Sequence, residues 1–249
     1  MPVAKYLIAK DFDVKGSTRS PERMTTLQES GVHPFILDLT KEEYGLDIFF
    51  DSKILIINIP FKGVSEFSAL IEILEKTKVT HVIFVSSTSI YTTKQGEISE
   101  DDIDCLKSCA LLEIENLFTS NKNFSTTIVR FGGLIGYSRN PALFFKNNRS
   151  VKKPESKVNM IHRDDCVNII ELIIKNKAWG EIYNCCADTH PTKREFYTYV
   201  AKISGLPIPI FSKDIDFSSK VIANKKLKKD LKYNFVYPNL LNLKYLDST

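Results

Sequence analysis

Two short and almost wholly apolar segments restrict what this chain can fold into. Ile54–Ile59 and His81–Val85 alternate too little between apolar and polar residues for a half-exposed sheet, so we predict strands that are buried on both faces. Between them, apolar residues recur at helical spacing, which predicts a helix over Val64–Lys76. A buried strand, a helix and another buried strand are the repeating unit of a parallel sheet with helices on its faces.

The same alternation continues along the chain. It predicts a Rossmann-type α/β fold, a doubly wound parallel sheet, in residues 1–138. Residues 139–249 are expected to form a small C-terminal substrate lobe, with 161–184 returning to the sheet. Ligands of such sheets bind at the carboxyl ends of the strands, so the polar turns after the strands are the candidate functional segments. Further strands are predicted at Phe12–Gly16, Pro34–Asp38, Thr126–Arg130 and Glu181–Asn184, and further helices from Pro2 and at Pro21–Glu29, Ile103–Thr119, Asp165–Lys177 and Arg194–Ser204.

Composition supports one such domain and excludes several function classes. The chain has 249 residues, 43% of them hydrophobic, which is enough for a sizeable core. Its net charge of +4 is mild and its charges are interspersed, so we predict neither nucleic-acid nor membrane binding. Charges at Lys5, Lys10 and Asp11 interrupt the apolar N-terminus, so no signal peptide is predicted. The five cysteines are odd in number and lack paired CxxC motifs, which favours a reducing cytoplasm over a disulfide framework or a metal site.

One part expected of a dinucleotide-binding sheet is missing from the sequence. Such a fold binds the pyrophosphate at the N-terminus of its first helix, after a glycine loop that follows the first strand. Here only Met1 precedes the helix predicted from Pro2, while Gly132, Gly133 and Gly136 follow a late strand. Either the first residue is an internal methionine, or the chain is naturally short and binds dinucleotide weakly. A sheet without its central strand would expose two apolar edges, which favours the first explanation.

Five segments carry a resemblance to a known family. Ser86–Tyr91 resembles the Ser-Ser-x-x-x-Tyr stretch of extended short-chain dehydrogenases, the epimerase/dehydratase group. Asn159–Asp165, Tyr183-Asn184, His190–Tyr197 and Gly205–Pro207 narrow the resemblance to an atypical, YeeZ-like branch of that superfamily. The resemblance extends over nearly the whole chain and implies an NAD(P)-dependent oxidoreductase or epimerase with a small-molecule substrate. It also suggests a homodimer through the helices at Val64–Lys76 and Ile103–Thr119.

The resemblance also implies a cofactor site and a catalytic serine. Ser87 matches the family's active-site Ser/Thr, which hydrogen-bonds the substrate oxygen. Arg19 could pair with a 2′-phosphate, whereas an acidic residue there would favour NAD, so NADP is the expected cofactor and NAD the alternative. The implied cofactor-binding residues are Ser17, Thr18, Arg19, Asp38, Asn58, Pro60 and Ser86.

The chain departs from the family at the usual catalytic pair. Active members use Tyr-x-x-x-Lys, in which the Tyr exchanges the proton and the Lys lowers its pKa. Alignment places Cys105 and Cys109 on these two positions, and Lys107 points to another helical face. Tyr91 could replace the missing proton donor, since it follows the strand that ends near Ser87. The retained Ser87 and Tyr91 favour an enzyme; the two cysteines favour the alternative of a non-catalytic NAD(P)-binding sensor or regulatory protein.

Three residues are candidates for contacting substrate. Arg139 and Asn159 lie where the family's substrate cleft would be. His162 could contact substrate as well, or it could fix the helix that begins near Asp164. The lysines at 225, 226, 228 and 229 are expected to form a solvated helix face rather than a phosphate or nucleic-acid site.

Overall fold

The computed structural model describes residues 1–38, 46–60, 63–92, 96–145, 150–214 and 220–243. Strands and helices alternate along most of this length, and the pairs β1–β2, β3–β4, β5–β10 and β7–β8 are parallel. The predicted α/β class with parallel sheets is therefore confirmed. The strands are β1 Lys15–Thr18, β2 His33–Ile36, β3 Ile54–Ile57, β4 His81–Ser87, β5 Gly96–Ile98, β6 Ser125–Phe131, β7 Gly133–Ile135, β8 Met160–His162, β9 Ile182–Cys185 and β10 Lys220–Ile222. The helices are α1 Pro2–Ile8, α2 Arg23–Glu29, α3 Leu46–Phe49, α4 Val64–Leu74, α5 Ala110–Ser120, α6 Arg163–Asn176, α7 Lys193–Ile203 and α8 Lys225–Leu231.

The chain forms two compact units. The first consists of Met1–Val85, Cys109–Ile128 and Ile170–Glu181, and the second of Ser86–Ser108, Val129–Ile169 and Ile182–Thr249. The four-stranded sheet has the order β3-β4-β6-β9, and β4 and β6 begin in the first unit and end in the second. The domain boundary predicted at residue 138 stays a prediction. Within the described ranges, no helix has the length and apolar character that a membrane span needs.

An aromatic cluster forms the core of the first unit. Phe67 of α4 packs edge-on against Phe84 of β4 with ring centroids 5.8 Å apart, and Phe84 stacks on Phe118 of α5 at 5.2 Å. These rings place α4 and α5 against one face of the sheet, where buried aromatic pairs add to the burial of apolar area. The helical spacing predicted for Val64–Lys76 is thus borne out by α4.

The second unit has its own apolar core around α7. Thr192 and Glu195 form a capping box at the start of this helix, with each side chain accepting a backbone N–H of the other residue. The glycine run after β6 has a structural reason: a Cβ on Gly132 would lie 2.7 Å from Asn159 O and 2.8 Å from Cys186 Sγ. The buried members of this core are Ile135, Val151, Val158, Ala187, Phe196, Tyr197, Val200, Leu240 and Leu243.

Three sequence predictions differ from the structure. The strand predicted at Phe12–Gly16 is displaced to Lys15–Thr18. The strand predicted at Ile54–Ile59 ends at Ile57, and it is half-buried from Ile54 to Ile56 instead of buried on both faces. The reason is that β1 and β3 belong to separate sheets, with a groove of about 340 Å³ between them. The helix predicted over Ile103–Thr119 begins only at Ala110.

Candidate functional site

A pocket in the first unit opens where three strands end. We call it the strand-end pocket; its volume is about 340 Å³. Ligands of parallel sheets bind outside the carboxyl ends of the strands, because there the loops leave a crevice. Its lining residues are Ser17, Thr18, Arg19 and Arg23 from the end of β1 onward, Leu37 and Asp38 after β2, Ile59 and Pro60 after β3, and Phe49, Phe50, Leu55, Ile56, Ile57 and Leu70 from the adjoining apolar wall.

The polar part of the strand-end pocket carries both signs of charge. Arg19 and Arg23 are exposed, and Asp38 is half-buried. Thr18 Oγ1 accepts a hydrogen bond from Ser20 N at 3.2 Å, which fixes the turn that presents Arg19. Two guanidinium groups provide fork-shaped donors that match phosphate oxygens, and a carboxylate accepts from hydroxyl or amino groups. The pocket is therefore suited to a ligand that contains both a phosphate and hydrogen-bond donors.

The structure brings most of the predicted cofactor residues together. Ser17, Thr18, Arg19, Asp38 and Pro60 all line the strand-end pocket.

Two predicted cofactor residues lie elsewhere, and one polar lining residue was missed. Asn58 lines the groove between β1 and β3, and Ser86 is buried in the second unit with 6% of its surface exposed. Arg23 was not among the predicted residues. It follows Arg19 by four residues, and this spacing of two basic residues after a strand is the signal that could have identified it.

A second candidate region is the turn Ser86–Tyr91 in the second unit, which we call the Ser87 turn. Ser87 is half-buried, and its Oγ accepts from Ser89 N at 3.1 Å, which caps the 3-10 turn Thr88–Ile90. Lys220 Nζ donates to Thr88 O at 2.9 Å and to Tyr91 O at 3.0 Å. Lys107 Nζ donates to Ser89 O at 2.8 Å. Two ammonium groups from distant parts of the sequence thus hold the backbone of this turn.

The two ammonium groups lie close enough to affect each other. Lys107 is exposed and Lys220 is half-buried. Burial lowers the pKa of Lys220 below its usual value, and the positive charge of Lys107 lowers it further. Both ammonium groups lie against the backbone of the turn that carries Ser87.

Tyr91, the candidate proton donor, lies wholly in the core of the second unit. Its side chain is 0% exposed, and its hydroxyl donates to Asn184 Oδ1 at 2.9 Å while accepting from Arg130 Nη1 at 2.7 Å. Asn184 N in turn donates to Glu100 Oε1 at 2.6 Å. Burial raises the pKa of Tyr91 above its usual value, so the phenol holds its proton near neutral pH. This placement gives Tyr91 a structural role and argues against proton exchange with a bound substrate.

Cys105 and Cys109 do not lie on one helix, contrary to the helix predicted over Ile103–Thr119. The backbone at this point is extended, because Lys107 N donates to Ile90 O at 2.8 Å and Thr92 N donates to Cys105 O at 2.7 Å. Cys105 is buried and Cys109 is the N-cap residue of α5. All five cysteines are free thiols, and burial raises the pKa of Cys186 to about 12. The described residues include no group of three or more side chains that could hold a metal ion.

The three candidate substrate residues have different surroundings. Asn159 uses its amide on the backbone of β10, donating from Nδ2 to Lys220 O at 3.0 Å and accepting at Oδ1 from Ile222 N at 2.8 Å. His162 is 2% exposed, and its Nδ1 accepts from Asp164 N at 3.2 Å, so it fixes the start of α6. Of the three, Arg139 is exposed, Asn159 is half-buried and His162 is buried.

The fold is that of the NAD-dependent epimerase/dehydratase and short-chain dehydrogenase structures. UDP-glucuronic acid 4-epimerase from Bacillus cereus, solved with UDP-glucuronic acid and NAD, has a TM-score of 0.76 and 17% identity, over 97% of this chain and 91% of that one. A conserved protein of unknown function from Silicibacter pomeroyi has a TM-score of 0.80 and 22% identity, over 96% of this chain and 91% of that one.

The sequence itself is similar to Protein YeeZ of Escherichia coli (strain K12). The two are 29% identical in an alignment that covers 97% of this chain and 93% of YeeZ. No family model matches the sequence. The resemblance to YeeZ-like proteins that the sequence motifs predicted is therefore confirmed.

Proposed function

We propose that this protein binds a nicotinamide dinucleotide in the strand-end pocket and acts as an oxidoreductase or epimerase/dehydratase on a small molecule. The observation that carries the proposal is the convergence on one pocket of polar residues from the ends of β1 and β2 with the apolar end of β3. That position is where dinucleotides bind in open parallel sheets. Epimerase structures of the same fold, among them the Bacillus cereus enzyme solved with NAD, support the choice of ligand.

The lining residues fit the adenosine half of the cofactor. Arg19 and Arg23 would hold a 2′-phosphate through charge-assisted hydrogen bonds, which favours NADP over NAD. Asp38 would accept from the adenine amino group or a ribose hydroxyl. The bound cofactor would supply a hydride acceptor or donor. In the second unit, the Ser87 hydroxyl proton is available to a substrate oxygen, because the Oγ–Ser89 bond uses only an acceptor position.

A non-catalytic NAD(P)-binding sensor is the second candidate, and two placements favour it. Tyr91 and Cys105 are both buried, with exposures of 0% and 1%. Cys109, aligned with the family's lysine, is the N-cap residue of α5 and carries no ammonium group. A protein of this kind would bind cofactor and substrate without transferring hydride.

Titration of NADPH and NADH, followed by the change in cofactor fluorescence, tests cofactor binding. We expect NADPH to bind more tightly, and Arg19→Gln to remove that preference. Lys53→Gln is the matched control: it removes an exposed positive charge at the other end of β3, outside the strand-end pocket. If neither cofactor binds, or if both variants act alike, the proposed pocket is wrong.

Turnover separates the enzyme from the sensor. The purified protein would be incubated with oxidised and reduced cofactor and a panel of carbonyl compounds and nucleotide sugars, including UDP-glucuronic acid. An enzyme gives substrate-dependent cofactor oxidation, reduction or epimerisation that Ser87→Ala abolishes. Saturable cofactor binding with no turnover over the whole panel is the result expected of the sensor.

A further inference from the structure

Among the residues that the structure describes, the lysines at the Ser87 turn leave part of their hydrogen-bonding capacity unused. An ammonium group has three N–H donors. Lys220 uses two of them, on Thr88 O and Tyr91 O, and Lys107 uses one, on Ser89 O. The remaining donors lie on the side chains that flank the turn carrying Ser87 and the exposed Ser89.

Neither lysine has a carboxylate partner within the described ranges of the chain. The lysines of α8 in the same unit differ: Lys225 pairs with Glu97 at 2.5 Å and Lys228 with Asp188 at 2.9 Å. Two like charges that share one turn repel each other, and partial burial of Lys220 weakens the screening by water. A bound anion would offset this repulsion with its negative charge and accept hydrogen bonds from the unused N–H donors.

Hydrogen bonds to backbone carbonyl oxygens also fix the positions of the Lys107 and Lys220 ammonium groups. Lys220 is attached at both ends, since its backbone O accepts from Asn159 Nδ2 and its Nζ is held by two carbonyl oxygens. A side chain restrained in this way loses less conformational freedom when a ligand binds, which favours specific over diffuse binding of an anion.

We propose that Lys107 and Lys220, together with the Ser87 and Ser89 hydroxyls, form a binding site for an oxyanion of the substrate, either a carboxylate or a phosphoryl group. The proposal rests on the proposed function, in which the Ser87 turn contacts substrate. It narrows that function to anionic substrates. It also gives these lysines a role that differs from the missing Tyr-x-x-x-Lys pair, because they would bind substrate charge and would not transfer a proton.

Inorganic pyrophosphate and glucuronate serve as probes in a protein whose other phosphate site has been weakened. The background is the full chain with Arg19→Gln and Arg23→Gln, so that the strand-end pocket does not contribute. Affinity is measured by calorimetry, and protection of individual lysines from brief acetylation is mapped by mass spectrometry. We expect at least one probe to bind and to protect Lys107 and Lys220, while exposed Lys53 is labelled at an unchanged rate.

Variants then assign the binding to the two lysines. Lys220→Met and Lys107→Met should each weaken the probe about 10-fold, the usual size of one lost charge-assisted hydrogen bond. Lys225→Met, which removes a paired surface charge, should leave it unchanged. If Lys220→Met folds poorly, Lys220→Arg is used in its place; because it keeps the positive charge, it should retain most of the affinity for the probe. Binding of glucuronate alone identifies a carboxylate ligand, and binding of pyrophosphate alone a phosphoryl ligand.

Three results would overturn the proposal. They are no binding of either probe, binding that the lysine variants do not weaken, and binding without protection of Lys107 and Lys220. Each would leave the lysines with only a structural role at the turn. Failure of the proposed function is separate, because NADPH binding is titrated in the unmodified protein and does not depend on the probes.

Discussion

Polar residues follow the ends of β1 and β4 alike, yet the two regions use their side chains differently. At the end of β1, Ser17 and Arg19 are exposed and line the strand-end pocket. At the end of β4, Ser86, Thr88 and Tyr91 are buried at 6%, 6% and 0% exposure. The position at a strand end therefore predicts where a polar segment lies, and burial decides whether its side chains can meet a ligand.

Contacts from distant parts of the sequence cause this difference. The Ser87 turn is covered by Lys107, Arg130 and Lys220, each of which donates a hydrogen bond to it. The buried polar groups of this turn must then be satisfied inside the protein, because a buried polar atom without a partner costs free energy. Ser87, which is half-buried, and Ser89, which is exposed, remain accessible to a ligand. The polar side chains of the strand-end pocket are exposed or half-buried, so a ligand can reach them.

The largest effect that we predict is a loss of stability when Arg130 is replaced by Met. Arg130 is 2% exposed, and its loss removes the donor to the Tyr91 hydroxyl and the guanidinium charge that lies near Glu100. Breaking a buried charged network costs about 3–5 kcal/mol. Urea unfolding followed by circular dichroism measures this cost. Arg19→Met, in the strand-end pocket, should change stability by no more than about 0.5 kcal/mol. Equal losses in the two variants would mean that the two regions do not differ as described.

The next effect is on cofactor affinity. Replacing both Arg19 and Arg23 with Gln removes the two guanidinium groups of the strand-end pocket. We expect NADPH to bind about 100-fold more weakly, because charge-assisted hydrogen bonds contribute about 1.5–3 kcal/mol each and are not fully additive. NADH affinity should change far less, since it has no 2′-phosphate. A parallel loss for both cofactors would place the arginines on the pyrophosphate instead.

Much of the fold was predictable from the sequence because it depends on local patterns. The apolar run at His81–Val85 and the helical spacing of Val64–Lys76 correspond to β4 and α4. The strand at Ile54–Ile59 was placed correctly, but its burial was not, because burial depends on which strand lies beside it. The local sequence of β3 does not indicate which strand lies beside it.

The candidate site was predictable only where side chains remain at the surface. Ser17, Thr18, Arg19 and Asp38 were implied by the family resemblance, and they do line one pocket. Asn159 and His162 are also polar residues that could bind a ligand, but in the structure they accept hydrogen bonds from the backbone of the protein itself. Lys220 lies 129 residues from Tyr91, so its hydrogen bond to the Ser87 turn could not be inferred from spacing.

A smaller effect is expected when single hydroxyls of the Ser87 turn are removed. Tyr91→Phe deletes a buried hydroxyl with two hydrogen bonds, and we expect a loss of about 1–3 kcal/mol. Ser87→Ala deletes a half-buried cap, with a loss of about 1 kcal/mol or less. Urea midpoints of both variants, compared at equal slope, give the two values. A larger loss for Ser87→Ala would contradict the assignment of Tyr91 as structural and Ser87 as available to substrate.

The smallest predicted effect is a pH dependence that Glu100 imparts to the buried network of the second unit. Burial raises the pKa of Glu100 above its usual value of 4.5, so the folded protein holds this proton more tightly than the unfolded chain does. The resulting stabilisation is present below that value and is lost as the pH rises through the raised pKa. Glu100→Gln keeps an oxygen that can accept from Asn184 N but does not ionise. Its stability relative to the wild type should therefore increase between about pH 4 and about pH 8, as measured by urea unfolding. A difference that stays constant or decreases over this range would show that Arg130 stabilises the Glu100 carboxylate more than burial destabilises it, and the network would then be an ion pair rather than a set of neutral hydrogen bonds.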